Sequence, residues 1–443
     1  TYEALVNEGI AGVIEKLVEL AAASSVTINP HAFQETGDPS DRRLPPLDVD
    51  GSSRLLERPL WGKNELYGTF ALPFELDESL FDRSPYRPDS DPQRKDIASE
   101  TVPVARKAGL EAALSCSPFR IPDVAEVDAP RDFEGNPVSP TISLHACPNN
   151  PRCYDYAQGI ILNLAQHYEP DSLVCDWIEY TNYFFTDNLI CFCEHCRKQA
   201  DEWGYNFESM RQAVAELYNW IRNARPYDVL PIGGWHQTWA MMSPRIDELF
   251  RFKARTVVET ATRLRAALDR LGFESLLLRF PGFAYPMSVG TGLDYASLSR
   301  LGNTIIPQSK MYRFHWGLMV GWYAHALTKL NANGVAPTDW LPMVVSMMEI
   351  HDDAEQSLER FVMPPPTERG PVTLATELAK SRRFAAEAGH AAREIRVHAY
   401  GPLEVFRERL SNAMKSGLTG FDIQRYGYCS DEKLRAIGET ASM

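Results

Sequence analysis

Short apolar, β-branched runs alternate with amphipathic stretches along most of the chain, and this alternation constrains the fold more than any other feature. Strand-like runs fall at 25–29, 110–116, 172–179, 275–281, 303–308, 341–349, 394–400 and 418–425. Helical spacing occupies 5–22, where Leu5, Ile10, Val13, Ile14, Leu17, Val18 and Leu20 recur on one face, and then 96–108, 153–168, 206–225, 244–271, 316–331, 371–389 and 403–416. Apolar strands separated by amphipathic helices read as parallel β/α units, because crossover helices cover both faces of such strands. Eight units imply a closed (β/α)8 TIM barrel of the α/β class.

Two segments exceed the plain repeat: residues 36–95, rich in Pro, Asp and Arg, and residues 181–274. Both follow strand C-termini, the face on which barrels build active sites, and are expected to wall a pocket. All 443 residues (1–443) are then expected to form one decorated barrel domain. The formal charge of −14 argues against a nucleic-acid surface or an anionic membrane partner. No apolar run approaches the roughly 18 residues of a membrane span. Thr1-Tyr2-Glu3 leads straight into helical pattern, without the basic and apolar regions of a secretory leader. Dinucleotide, P-loop and G-x-S-x-G signatures are absent.

Eight cysteines are too few for a disulfide scaffold of this length, and six of them lie between Cys147 and Cys196. That clustering favours a thiolate metal site in a reducing compartment, so a cytoplasmic location is expected. Cys191, Cys193 and Cys196 put three thiols within six residues, and Cys147 offers a fourth for a closed zinc site of four thiolates. Cys153 and Cys175 are rival fourth ligands, with His195 a weaker one; three buried thiols without metal are the plainer alternative.

The stretch Leu144-His145-Ala146-Cys147-Pro148-Asn149-Asn150-Pro151, the helix YAQGIILNLAQHY, Val174 to Tyr180 (VCDWIEY) and CFCEHC together resemble glycoside hydrolase family 42, β-galactosidases with a cysteine-bound zinc. Gly109 to Leu114 with Ser117-Pro118, and Ser346-Met347-Met348-Glu349, are similar to further strands of that family. The resemblance spans roughly 105–355 and implies a structural zinc on Cys147, Cys191, Cys193 and Cys196. It also implies Glu179 as acid/base, Glu349 as nucleophile, and a glycoside or oligosaccharide as substrate, cleaved by a retaining mechanism. Ile178 stands where the family has an asparagine, and Ser143-Leu144 where it has an arginine, which points away from strict galactose specificity. The family's first strand is not found before 5–22, so either 418–425 closes the barrel in its place or a short N-terminal strand lies outside these residues. The further domains of family members, one of which mediates trimers, are not expected within these residues, and homo-oligomer formation stays open.

The residues support part of this on their own. Two carboxylates ending different strands can flank one glycosidic bond, one giving a proton while the other attacks the anomeric carbon. Glu349 follows the apolar run Met343 to Met348, so a buried strand would present its side chain at the mouth. Asp176 rivals Glu179 near the third strand's end. His31, His145, Tyr312, Trp316 and His351 follow predicted strands and, with Asp176, are candidate substrate contacts, since aromatic and polar groups suit sugar faces and hydroxyls. Packing is the default for Trp316, at a helix start. Two other classes compete: a sugar lyase or isomerase holding a metal on His31, His145, His351 and Asp352, and a carbohydrate-binding barrel without catalysis.

Overall fold

The computed structural model describes residues 4–5, 8–30, 71–93, 95–121, 124–138, 146–181, 183–311, 313–350, 357–362, 372–399 and 401–442. Seven strands form one all-parallel sheet in chain order: β1 (Ser25–Ile28), β2 (Glu111–Cys116), β3 (Ser172–Cys175), β4 (Leu277–Phe283), β5 (Ile305–Met311), β6 (Glu394–His398) and β7 (Gly420–Gln424). Helices join each strand to the next, so the α/β barrel class stands.

The predicted strand at 341–349 is instead a helix, Pro337–Met347. Pro337 sits in its first turn, and the Asp339 carboxylate accepts the Ala336 N–H at 3.1 Å. Trp340, Leu341, Met343, Val344, Val345 and Met347 bury it on several sides. A helix apolar on several sides shows no clean periodicity, which is why the segment reads like a buried strand. β5 pairs directly with β6, Ser309 opposite Ile395 and Lys310 opposite Arg396, so no strand stands between them. Among the described residues β7 forms no ladder with β1, contrary to the expected closure. The two edges meet through their helices instead: Gly438, in helix Asp431–Ala441, packs on Leu20 at the end of helix Ile10–Glu19, and Tyr426 donates to Glu8 at 3.2 Å.

The sheet curls strongly. Strands lie about 4.8 Å apart, so β2 and β6 would be about 19 Å apart if flat. Arg279 on β4 nevertheless bonds both Glu111 of β2, at 2.7 Å, and Glu394 of β6, at 3.0 Å. Gln308 and Ser172 complete this layer by donating to Glu394 and Glu111. The inner side of the sheet is therefore a lumen filled at one level by charged side chains.

Both long insertions pack on the helical layer where they are described. Helix Pro151–Tyr168 starts at Asn150, whose side chain accepts the Arg152 N–H, and carries Pro151 in its first turn. Phe81 of the first insertion lies against Gly159, where an added Cβ would stand 2.4 Å from the ring. Phe74 stacks on His167 with ring centres 3.9 Å apart. The second insertion contributes the helices Glu194–Trp203, Phe207–Asn223, Gly234–Met242 and Asp247–Asp269.

Candidate active site and metal centre

The C-terminal end of the sheet gathers the charged groups. Asp176, just past β3, pairs with Lys310 of β5, and Arg396 of β6 stands 3.4 Å from its second oxygen. Arg396 also holds Asp422 of β7 at 2.6 Å. Alternation along each strand explains the ring: Gln308 and Lys310, Glu394 and Arg396, and Asp422 all occupy inward positions. The Lys310 ammonium lies 4.2 Å from the centre of the Trp177 ring. Trp177, Tyr183 and Phe283 form an aromatic wall with ring centres 5.4 to 5.7 Å apart, and Phe184 stacks on Trp322 nearby.

Glu179 lies three residues beyond Asp176, is 1% exposed, and among the described residues neither of its oxygens has a side-chain hydrogen-bond partner. Burial pushes its carboxyl up to about 7; Lys310 opposes that rise and Asp176 adds to it. A carboxyl so placed carries its proton up to neutrality.

Glu349 follows the Pro337–Met347 helix rather than a strand, with φ at 50°. The Tyr285 hydroxyl donates to Oε1 at 3.0 Å, and Arg383 approaches Oε2 at 3.5 Å. Tyr285 lies two residues past β4, so this contact ties Glu349 to the strand-end face. Fully buried Lys380 donates to the carbonyls of Tyr285 and Met348, both at 2.8 Å, and so clamps the two chain segments that carry the pair. Gly234 approaches from the other side: a Cβ there would lie 2.7 Å from Glu349 Oε1. Among the described residues Glu179 and Glu349 share no hydrogen-bond or ion-pair partner.

The sulfurs of Cys147, Cys191, Cys193 and Cys196 all lie within 4.8 Å of one another, and this buried group could bind a metal ion. The Cys147–Cys196 and Cys193–Cys147 separations are 3.4 and 3.7 Å. Those are too long for a disulfide. They approach the about 3.8 Å edge of a tetrahedron with metal–sulfur bonds of about 2.3 Å. Peptide N–H groups of Arg131 and Cys196 and the Asn149 amide point at three of the sulfurs, as expected around thiolate ligands. Lys253, fully buried, donates to the Asn188 carbonyl and lies 4.8 Å from the Tyr180 ring centre. The rival ligands sit elsewhere: Cys175 faces Cys116 on the neighbouring strand at 3.9 Å, and neither Cys153 nor His195 joins the four.

Of the remaining sequence candidates, Trp316 is 1% exposed and packs with its ring 5.4 Å from the Lys380 ammonium. This places it in the core behind Glu349 rather than at a sugar-facing surface. His31, His145, Tyr312 and His351, with Asp352 of the competing metal reading, lie outside the described residues. Sequence reasoning missed Lys310, Arg396, Asp422, Tyr285 and Arg383. The signal for the first three was present as charges at alternate positions of strands otherwise apolar.

No protein-family model matches the chain, family 42 included, and no curated protein matches it. Similar solved structures exist. The glycoside hydrolase domain of PgaB (BpsB) from Bordetella bronchiseptica aligns over 95% of this chain and 89% of its own, with TM-score 0.52 and 10% identity. The β-galactosidase of the haloarchaeon Halorubrum lacusprofundi aligns over 81% of this chain with TM-score 0.47 and 13% identity. That of Marinomonas ef1 aligns over 84%, with TM-score 0.47 and 9% identity. This chain spans about half of each of those two, 51% and 54% of their lengths. The first likeness establishes the barrel fold. Among the described residues no helix is long and apolar enough to cross a membrane.

Proposed function

We propose that the protein is a glycoside hydrolase with its reaction centre at the C-terminal mouth of the sheet and a structural zinc in the second insertion. One observation carries the reading: Glu179, without a side-chain hydrogen-bond partner among the described residues and pushed up to about 7, stands beside Asp176, which is ion-paired with Lys310 and Arg396. A carboxyl that keeps its proton near neutrality while its neighbour is ion-paired is what a general acid requires at neutral pH. The PgaB likeness supports it, since that barrel is described as a glycoside hydrolase domain.

In this reading Glu179 donates its proton to the glycosidic oxygen as the C–O bond breaks. Glu349, its carboxylate oriented by Tyr285 and Arg383, attacks the anomeric carbon and forms a glycosyl ester. Ionised Glu179 then takes a proton from water, whose oxygen attacks the same carbon and frees Glu349. Trp177, Tyr183 and Phe283 offer apolar faces to the sugar rings. Cys147, Cys191, Cys193 and Cys196 would hold the zinc, which would fasten the insertion to the barrel rather than take part in the reaction.

The test is a panel of aryl glycosides and oligosaccharides, with the anomeric form of the first product read by NMR. Glu349→Gln should abolish turnover. Glu179→Gln should lose about 10²–10⁴-fold on substrates with poor leaving groups and far less on dinitrophenyl glycosides, which need no protonation. Full activity of Glu349→Gln, or a loss in Glu179→Gln that ignores the leaving group, would overturn these roles.

A further inference from the structure

Away from the mouth, on the outer side of the helical layer, a hollow of about 450 Å³ lies between the turn at Glu78–Phe81, the helix Pro151–Tyr168 and the helix Asp247–Asp269. Arg83, Arg263 and Arg270 line it. None of the three makes an ion pair or a hydrogen bond with a described residue, although the chain has 59 acidic against 45 basic residues. Arg263 lies flat on Tyr154, its guanidinium carbon 3.5 Å from the ring centre. Tyr154 also lines the hollow and is 3% exposed, and its hydroxyl has no hydrogen-bond partner. Beside it one Asp155 oxygen is likewise buried and partnerless. Arg83 and Arg263 are the cations nearest Asp155 in effect, yet neither closes to an ion pair with it.

Three guanidinium groups left unpaired around one hollow repel one another and keep their donor forks free. A shared oxyanion relieves the repulsion, because each fork can give two parallel N–H bonds to it. The space exceeds what a bare phosphate or sulfate fills and lies in the range of small-molecule sites. Beyond the cations it is lined by the carboxylates of Asp82 and Asp155 and by hydroxyl and amide groups from Ser79, Tyr154 and Gln158, with little apolar surface; the three arginines outnumber the two carboxylates. That lining suits a polyol. We infer that this groove binds a sugar bearing a phosphate or sulfate group, with Arg83, Arg263 and Arg270 on the oxyanion and Tyr154 and Gln158 on the sugar hydroxyls. The site is separate from the proposed reaction centre and does not depend on it.

The experiment is calorimetric titration of the full chain with glucose 6-phosphate, glucose 6-sulfate, inorganic phosphate and glucose, repeated with the Arg263→Gln/Arg270→Gln double variant and with Arg83→Gln. Circular dichroism would verify that each variant is folded. Either charged sugar binding more tightly than inorganic phosphate, with glucose silent, supports the inference, and which of the two binds identifies the group. Affinity should fall about tenfold or more in the double variant and also fall in Arg83→Gln, which leaves the Tyr154–Arg263 packing intact. No binding of either charged sugar overturns the inference. Inorganic phosphate binding as tightly as both overturns the sugar part, and unchanged affinity in both folded variants overturns the site.

Discussion

Replacing Glu179 with glutamine should stabilise the protein at alkaline pH while removing its proposed acid. The carboxyl is raised from an ordinary 4.5 to about 7, chiefly by burial, a rise of 7 − 4.5, or about 2.5. At 1.36 kcal/mol per unit this is about 3 kcal/mol, undiminished by solvent screening because the side chain is 1% exposed. The sign follows from proton counting. Between about 4.5 and 7 the folded chain keeps a proton that the unfolded chain has lost, so stability falls as pH rises through that window. Below it both states are protonated, and above it both are ionised with the full cost present. Glutamine resembles the protonated form at every pH, so the variant should match the parent near pH 4 and exceed it at pH 8. With an unfolding entropy of about 2.1 cal/mol/K per residue, 443 residues give about 0.9 kcal/mol/K, so the gain at pH 8 is about 3 °C in Tm. Differential scanning fluorimetry from pH 4 to 9 measures it. Parallel Tm curves for the two proteins would refute the claim that burial outweighs what favours the ionised Glu179, and with it the acid role.

Arg279→Met should cost about 3 kcal/mol, since it strands Glu111 and Glu394 without their shared cation, and adding Glu394→Gln should recover part of the loss; denaturant titration checks both. Gly234→Ala places a Cβ 2.7 Å from Glu349 Oε1 at a φ of +78°, so turnover should fall sharply with the fold retained, and unchanged turnover would remove Glu349 from the reaction. Elemental analysis should find about one zinc per chain, lost along with thermal stability in Cys196→Ser but kept in Cys175→Ser and Cys153→Ser, which lie outside the four. Equal metal content in all three variants would reject the proposed ligand set.

The parts legible in the sequence were those whose signal is local. Seven strands announced themselves because short β-branched or apolar runs, such as Ser25–Ile28 and Leu277–Phe283 respectively, stand between strongly periodic helices. The cysteine cluster was legible because three of its members share one turn and the fourth precedes a capped helix start at Asn150 and Pro151. The eighth strand failed for a physical reason: 341–349 is apolar on several sides in either conformation, and the deciding features were Pro337 with Asp339 at its start. The charged ring was only half legible. Lys310, Arg396 and Asp422 are visible as alternate charges, but nothing in sequence says that Lys310 and Arg396 converge on Asp176; curvature of the sheet does that.

The misplaced strand changes how Glu349 has to be understood. At a strand end, alternation alone would aim the side chain at the mouth. After a helix nothing local does so, and a non-glycine residue at a φ of 50° carries a conformational cost of order 1 kcal/mol. The conformation is held from outside: Lys380 fixes the Met348 carbonyl immediately before it and the Tyr285 carbonyl beside it. Tyr285 and Arg383 then bind its two oxygens, and Gly234 leaves room for the carboxylate to lie where a side chain would otherwise exclude it. Packing alone would not require two donors on one partly exposed carboxylate, a buried ammonium behind it and a bare glycine in front. The combination is intelligible if the position of that carboxylate, rather than the regularity of its backbone, is what the surrounding structure maintains.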